Sequence, residues 1–251
     1  MAHIGAGAVI LVTGATGAIG YEIAAQAAAD GAVVAVHGSQ RPNVESAMAR
    51  LRRRVPGARL IAAEADFRQV DEIEAMVSKV AAEAGRLDAV IHCGIAGAQG
   101  VGGLLANTDP HKLGEHAALV LGSFQRLCLA VLPHLTVRGG TIIGFASDSG
   151  RFAATRQSVI GAAFAGIMTF VRNLAVETAR NGVRVHCISP SFVAETPVYA
   201  AHAARAGAAR DRAGLGLPTP ADIAPMALFL CGPGAAKITG QIISINGGLN
   251  A

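Results

Sequence analysis

The sequence predicts an α/β fold: a Rossmann-type, doubly wound parallel sheet of about seven strands with helices on both faces. Two observations predict it. Short, continuously apolar runs alternate with helical patterns along the chain, which is typical of a parallel sheet covered on both faces. A glycine-rich turn also follows the first apolar run and precedes a helical one. No repeat or linker interrupts this alternation, so we expect residues 1–251 to form a single domain.

The pattern of apolar residues indicates each element in turn. Apolar runs predict strands at residues 8–12, 32–36, 59–63, 87–92, 141–145, 184–188 and 241–245. Helical patterns occupy residues 21–29, 44–54, 70–84, 111–135, 158–179 and 221–230. Residues 94–103 form a glycine-rich loop, and residues 191–217 are predicted to be an irregular substrate loop or lid.

Composition narrows the class of protein. The chain is 52% hydrophobic and only 15% charged, which favours a deep core or an oligomer. It contains no uninterrupted run of eighteen apolar residues and no signal-peptide pattern, so we expect no membrane span. Four widely spaced cysteines are typical of reduced thiols, which predicts a cytoplasmic protein without a metal site. They are Cys93, Cys128, Cys187 and Cys231.

A basic cluster gives the chain part of its net charge of +4. It has no interleaved aromatic residues for base stacking, so we interpret it as the solvated end of a helix and predict no nucleic-acid partner. Its members are Arg50, Arg52, Arg53, Arg54 and Arg59.

The glycine-rich turn predicts a binding site for a dinucleotide. A helix N-terminus offers free N–H groups and a favourable dipole to a phosphate. Gly14 permits the sharp turn, while Gly17 and Gly20 let the backbone approach a pyrophosphate and let helix pack on strand. Thr16, Ala18 and Ile19 complete the predicted pyrophosphate loop.

The loops after the next strands predict the remaining cofactor contacts. Residues 37–41 lack the acid that holds the ribose of NAD, and Ser39 and Arg41 are suited to a 2′-phosphate, so NADP is favoured over NAD. Asp66, followed by Phe67, is placed to accept from the adenine amino group. Further along, Cys93 and Gly94 are expected to lie along the cofactor, and the neighbouring His92 is either a proton donor or a structural residue.

Over essentially its whole length the chain resembles the short-chain dehydrogenases/reductases. The resemblance rests on residues 13–20, Asp66, the sequence around Ser147, residues 181–185, Ser189 with Pro190, Thr196 with Pro197, residues 238–241 and residues 246–248. It implies an NAD- or NADP-dependent transfer of hydride between nicotinamide and a carbonyl or alcohol, and often a tetramer. It also implies cofactor contacts at Pro190, Val193 and Thr196 and a catalytic role for Ser147.

The same resemblance exposes a departure at the catalytic centre. The family's tyrosine lies about thirteen residues after the serine, and its lysine lies four residues further. Ile160 and Phe164 occupy those positions here, and the family's helix asparagine is missing near Leu119. A tyrosine with a pKa of about 10 is a useful acid or base only when a cation lowers that pKa. Isoleucine and phenylalanine offer only apolar surface, so the Ser-Tyr-Lys mechanism is not expected.

Three functions remain open at this point. The first is an atypical reductase for a bulky apolar substrate, with Ser147, Asp148, His92 or Tyr199 as the substitute proton donor. The second is a non-catalytic member, either a subunit that binds NADP or a purely structural one, which pairs with an active relative through its two long apolar helices. For the assembly we expect a homotetramer or a hetero-oligomer with an active relative. The third is a non-redox enzyme built on the same fold.

Overall fold

The computed structural model describes residues 4–94 and 101–250. Seven parallel strands form its sheet in the order β3-β2-β1-β4-β5-β6-β7. The doubly wound sheet that the sequence predicts is therefore confirmed. The strands are β1 (Val9–Thr13), β2 (Val33–Gly38), β3 (Arg59–Glu64), β4 (Ala89–His92), β5 (Gly140–Phe145), β6 (Val183–Pro190) and β7 (Ile242–Ile245).

Helices cover both faces of this sheet. They are α1 (Ala18–Ala29), α2 (Arg41–Arg54), α3 (Val70–Ala84), α4 (His111–Ala117), α5 (Ser123–Leu135), α6 (Ser158–Thr178), α7 (Pro197–Ala201), α8 (Ala203–Arg212) and α9 (Pro220–Cys231). A π-helical turn, Ala118–Gly122, joins α4 to α5. It lies where the resemblance places the missing asparagine.

Successive strand residues point into two separate cores, because side chains alternate across a sheet. Along β1, Ile10 and Val12 pack with residues of α1, α2 and α9. Val9 and Leu11 pack on the opposite face with residues of α3, α5 and α6. The strand order reverses between β1 and β4, where a ligand cleft is expected at the carboxyl ends of the strands.

The segment at residues 191–217 is more regular than its composition indicates. It contains the short helices α7 and α8, whereas the sequence predicts irregular structure. Thr196 begins α7 by accepting a hydrogen bond from the backbone N–H of Tyr199 at 3.2 Å. Alanine is the best helix former, and the alanines at residues 200–209 account for the difference.

Two helical stretches, His111–Leu135 and Ser158–Asn181, are long and apolar enough to cross a membrane by length and composition alone. In the fold, helix residues from both stretches contribute buried side chains to one core on the sheet. Core helices commonly satisfy the same criterion, so the expectation of no membrane span stays a prediction.

The basic cluster on α2 is held against α1. The Arg50 guanidinium lies 4.1 Å from the centre of the Tyr21 ring, and Arg54 forms an ion pair with Glu22. Two members of the basic cluster, Arg50 and Arg54, therefore have partners within the chain.

Candidate functional site

The glycine-rich loop is packed too closely for side chains at two of its positions. Gly14 has a φ of +67°, and a Cβ there would lie 2.8 Å from the backbone of Gly94. A Cβ on Gly20 would lie 2.4 Å from the carbonyl oxygen of Gly14. These two close approaches pack the loop against the start of α1 and against the chain after β4.

The outer side of the same loop remains accessible. A Cβ on Gly17 would meet only the Gly14 oxygen, at an ordinary 3.4 Å. Gly17 precedes α1 and has no side chain that could cap it. The first N–H groups of a helix have no acceptor within the helix, and in α1 these N–H groups begin with those of Ala18 and Ile19. Together with Thr16, these residues fit the pyrophosphate of a dinucleotide.

Ser39 and Arg41 lie at the carboxyl end of β2, as the sequence predicts, and both are exposed. The Arg41 guanidinium is 2.8 Å from the Glu45 carboxylate, one helical turn away, and this ion pair raises the Arg41 pKa. The pair is open to solvent, so it is weak enough to exchange for a phosphate.

Asp66 and Phe67 follow β3 at the carboxyl edge of the sheet. Both oxygens of the Asp66 carboxylate accept hydrogen bonds from Arg68, whose guanidinium lowers the Asp66 pKa. Asp66 is thus a carboxylate, which can only accept hydrogen bonds. Phe67 is buried.

After β4, Cys93 and Gly94 run beside the glycine loop. The backbone N–H of Cys93 donates to the carbonyl of Thr13 at 3.1 Å. Burial raises the pKa of the Cys93 thiol, which keeps that thiol neutral. The loop predicted at residues 94–103 lies partly outside the described residues, because residues 95–100 are not among them.

The resemblance implies three cofactor contacts at the end of β6 and in the chain that follows it. Pro190 ends the strand and Val193 is buried. The Thr196 hydroxyl donates to the Val193 carbonyl at 2.7 Å and also begins α7. These bonds hold the chain between β6 and α7 in place at the edge of the cleft.

At the catalytic centre the structure places apolar side chains where the resemblance expects a tyrosine and a lysine. Ile160 and Phe164 lie one turn apart on α6 and are buried, at 8% and 7% exposure. They share one core with Val120 and Ala146. Ser147 is half-buried at the end of β5 and does not cap the 3₁₀ turn that it precedes.

That turn, Asp148–Gly150, is packed tightly onto α6. A Cβ on Gly150 would lie 2.8 Å from the Ala165 backbone, and one on Gly161 would lie 2.5 Å from the Ser149 carbonyl oxygen. Two close backbone approaches therefore fix Ser147 relative to the helix that carries Ile160 and Phe164.

Sequence reasoning missed the role of Asp148, which it names only as a candidate proton donor. The carboxylate is 2% exposed and accepts hydrogen bonds from Ser189 at 3.1 Å and Ser244 at 2.7 Å. Asn246 and Asn250 also donate to it. Asp148 is therefore a buried structural acceptor that ties the turn beside Ser147 to β6, β7 and the chain after β7.

His92 is also committed to the structure. Its Nδ1 lies 2.8 Å from the Thr13 hydroxyl, and its ring stacks between Phe67 and Phe124. Burial lowers the His92 pKa to about 3, so the ring is neutral near pH 7 and cannot act as a general acid in the imidazolium form. Of the four candidate donors, Ser147 and Tyr199 remain.

Comparison with known proteins agrees with this architecture. A family model described as enoyl-(acyl carrier protein) reductase matches residues 14–250. Nodulation protein G of Azospirillum brasilense is 32% identical, covering 96% of this chain and 98% of its own. The 3-oxoacyl-[acyl-carrier-protein] reductase FabG of Chlamydia muridarum is 31% identical, covering 95% and 96%.

Solved structures give the same result. A dehydrogenase/reductase from Sinorhizobium meliloti 1021 superimposes with a TM-score of 0.89 at 25% identity, over 100% of this chain and 98% of the other. A 7α-hydroxysteroid dehydrogenase, solved with NADH and a 7-oxo bile acid, shares the fold with a TM-score of 0.90 at 24% identity, over 98% and 96%. The chain belongs to the short-chain dehydrogenase/reductase family of oxidoreductases.

The chain does not offer an evident metal centre in the part that the structure describes. Residues 4–94 and 101–250 contain no group of three His, Cys, Asp or Glu side chains that could hold a metal ion. All four cysteines are free.

Proposed function

We propose that this chain binds NADP and transfers hydride between the nicotinamide and a carbonyl or alcohol of a bulky apolar compound, without a tyrosine–lysine relay. One contrast carries the proposal. The phosphate loop keeps its close packing, while buried apolar side chains, Ile160 and Phe164, stand where the family's tyrosine and lysine are expected. When bound, the dinucleotide supplies the hydride donor or acceptor.

The chain's own contribution is binding and orientation. The loop at residues 14–20 and the start of α1 hold the pyrophosphate, and Ser39 with Arg41 holds the 2′-phosphate. The apolar side chains of Ile160 and Phe164 exclude water and favour an apolar substrate. Ser147 keeps the hydroxyl that can hydrogen-bond to a reacting oxygen, and orientation alone can supply several kcal/mol of a barrier.

Cofactor binding tests the first half of the proposal. We expect NADPH to bind, with its nicotinamide fluorescence rising on addition of protein, and NADH to bind more weakly. Arg41→Ala should weaken NADPH binding about tenfold, the cost of one charge-assisted contact, and leave NADH unchanged. If neither dinucleotide binds, the proposal is wrong.

Turnover tests the second half. With NADPH bound, we would offer 9,10-phenanthrenequinone as a bulky apolar carbonyl and a 3-oxoacyl thioester as the substrate type of the FabG relatives. We expect slow NADPH oxidation that falls about 10- to 100-fold in Ser147→Ala, because one hydrogen-bond donor is lost. Ser149→Ala, two residues along the same turn, is the matched control and should retain the rate.

A second function is favoured by the sequestration of polar groups. His92 and Asp148 are both buried in hydrogen bonds with other parts of the fold, so neither is free to exchange protons. This arrangement also suits a subunit that binds NADP without turnover, as a homotetramer or beside an active relative. NADPH binding without reduction of either carbonyl compound, and copurification of a second reductase from the native source, would favour this second function.

Exposed apolar residues and free thiols bear on partner and location. Leu129 and Val176, on the outer sides of α5 and α6, are 74% and 79% exposed. We propose that they are covered in an oligomer, which sedimentation of the purified protein would detect. The free cysteines are compatible with the cytoplasmic location that we propose.

A further inference from the structure

Three neighbouring strands carry a polar side chain at or one residue before their carboxyl ends. These side chains are His37 on β2, Thr13 on β1 and His92 on β4. Thr13 pairs with His92 in the strand register, and all three are buried, with at most 5% exposure. Polar groups are costly to bury unless they are hydrogen-bonded, so their bonds indicate what this row does.

The His37 imidazole joins two loops of the chain. Its Nδ1 accepts a hydrogen bond from the backbone N–H of Gly14 at 3.0 Å. Its Nε2 lies 3.1 Å from the carbonyl oxygen of Ala65. A backbone N–H can only donate and a carbonyl can only accept, so these partners select the neutral tautomer with the proton on Nε2.

The two hydrogen-bond partners of this ring lie in two parts of the predicted dinucleotide site, the pyrophosphate loop and the loop that carries Asp66. Gly14 opens the phosphate loop, and Ala65 immediately precedes Asp66. The His37 ring also lies 4.6 Å from the Phe67 ring, centre to centre. One buried side chain therefore bridges the glycine-rich loop and the loop that carries Asp66.

We propose that His37 is a positioning residue for the adenosine half of the dinucleotide, acting through Gly14 on one side and Ala65 on the other. The inference rests on the proposed binding of NADP. His37 is buried, so its effect on the ligand passes through the backbone of the two loops that it bonds. Neither local pattern nor spacing marks this histidine, since the role depends on packing between three elements.

Two substitutions separate the two hydrogen bonds. In His37→Asn, the side-chain oxygen lies near the place of Nδ1 and can accept from Gly14. In His37→Gln, the longer side chain can reach Ala65 in place of Nε2 but does not restore the Gly14 bond. His37→Ala removes both bonds and leaves a space.

The matched control is His186, another buried histidine, on β6. Among the described residues, no hydrogen bond joins its ring to the phosphate loop at residues 14–20. His186→Asn perturbs a buried site without contact to the phosphate loop. It therefore separates a general loss of stability from a specific loss of ligand binding.

The measurements are the dissociation constants of NADPH and adenosine 2′,5′-bisphosphate, with the thermal unfolding midpoint of each variant. We expect His37→Ala to raise both constants at least tenfold. His37→Asn and His37→Gln, which each keep one of the two bonds, should raise them by less than His37→Ala does. His186→Asn should lower the unfolding midpoint and leave both constants within twofold.

Three results would overturn the inference. They are wild-type affinity in His37→Gln, an equal loss of affinity in His186→Asn, and no rescue in a folded His37→Asn. Failure of His37→Ala to fold leaves the decision to the Asn and Gln variants. Absence of NADPH binding in the wild type would overturn the proposed function and this inference together, whereas wild-type binding in the His37 variants overturns this inference alone.

Discussion

Acidification should destabilise this fold because three histidines are buried in neutral form. Burial is the main cause that lowers the pKa of His37 to about 4, that of His92 to about 3 and that of His186 to about 4. An unfolded chain has histidine pKa values near 6.5. Between pH 6.5 and pH 4 the unfolded chain therefore binds more protons than the folded one, and stability falls as pH falls.

The size of the effect follows from these pKa differences. Lowering the pH from 7 to 5 costs roughly 2 kcal/mol for each histidine, since the unfolded form becomes protonated while the folded form does not. The three together cost about 6 kcal/mol, which is comparable with the whole stability of many domains. The stability that these histidines cost at low pH is regained when the pH is raised above 7.

Urea unfolding followed by far-ultraviolet circular dichroism at pH 7 and pH 5 measures this difference. In His186→Asn the difference between the two pH values should shrink by roughly 2 kcal/mol, whatever the variant's absolute stability. In His202→Asn, at an exposed position, it should not change. Equal wild-type stability at the two pH values, or an unchanged difference in His186→Asn, would refute the reasoning.

Three further predictions follow from close packing and buried charge. Gly20→Ala should abolish NADPH binding in a fluorescence titration because its Cβ would lie 2.4 Å from a carbonyl oxygen, whereas Gly114→Ala, with nothing within 4 Å, should bind normally. Asp148→Asn should lower the free energy of unfolding in urea by about 2–4 kcal/mol, because an amide cannot accept all four donors; an unchanged value would contradict the role assigned to the carboxylate. Ile160→Tyr combined with Phe164→Lys should lower the unfolding midpoint, since a lysine would enter the core; a large gain in NADPH oxidation would count against the proposed mechanism.

The fold was predictable because its information is local. Continuous apolar runs and helical periodicity predict the alternation of strands and helices. Both ends of β2 and of β5 lie within two residues of the predicted bounds. The helices at residues 197–212 were not predicted, since small residues resemble a loop in composition. Alanine's backbone preference, rather than amphipathic periodicity, accounts for those helices.

The candidate site was predictable where a short motif carries the chemistry. Glycine spacing between a strand and a helix places Gly14 and Gly20, and both are closely packed as that motif requires. The roles of Asp148 and His37 were not predictable, because their partners lie on other strands and loops. Hydrogen bonds of that kind depend on the assembled sheet and leave no local pattern in the sequence.

The Asp148 cluster also has a consequence for the order of folding during synthesis. Its donors Ser244, Asn246 and Asn250 follow Asp148 by 96, 98 and 102 residues. A ribosome adds about 5–20 residues per second, so the carboxylate waits roughly 5–20 s before these partners have been made. Until then Ser189 is its one donor of the four that has been made, and the nascent chain is expected to complete this region only after β7 has emerged.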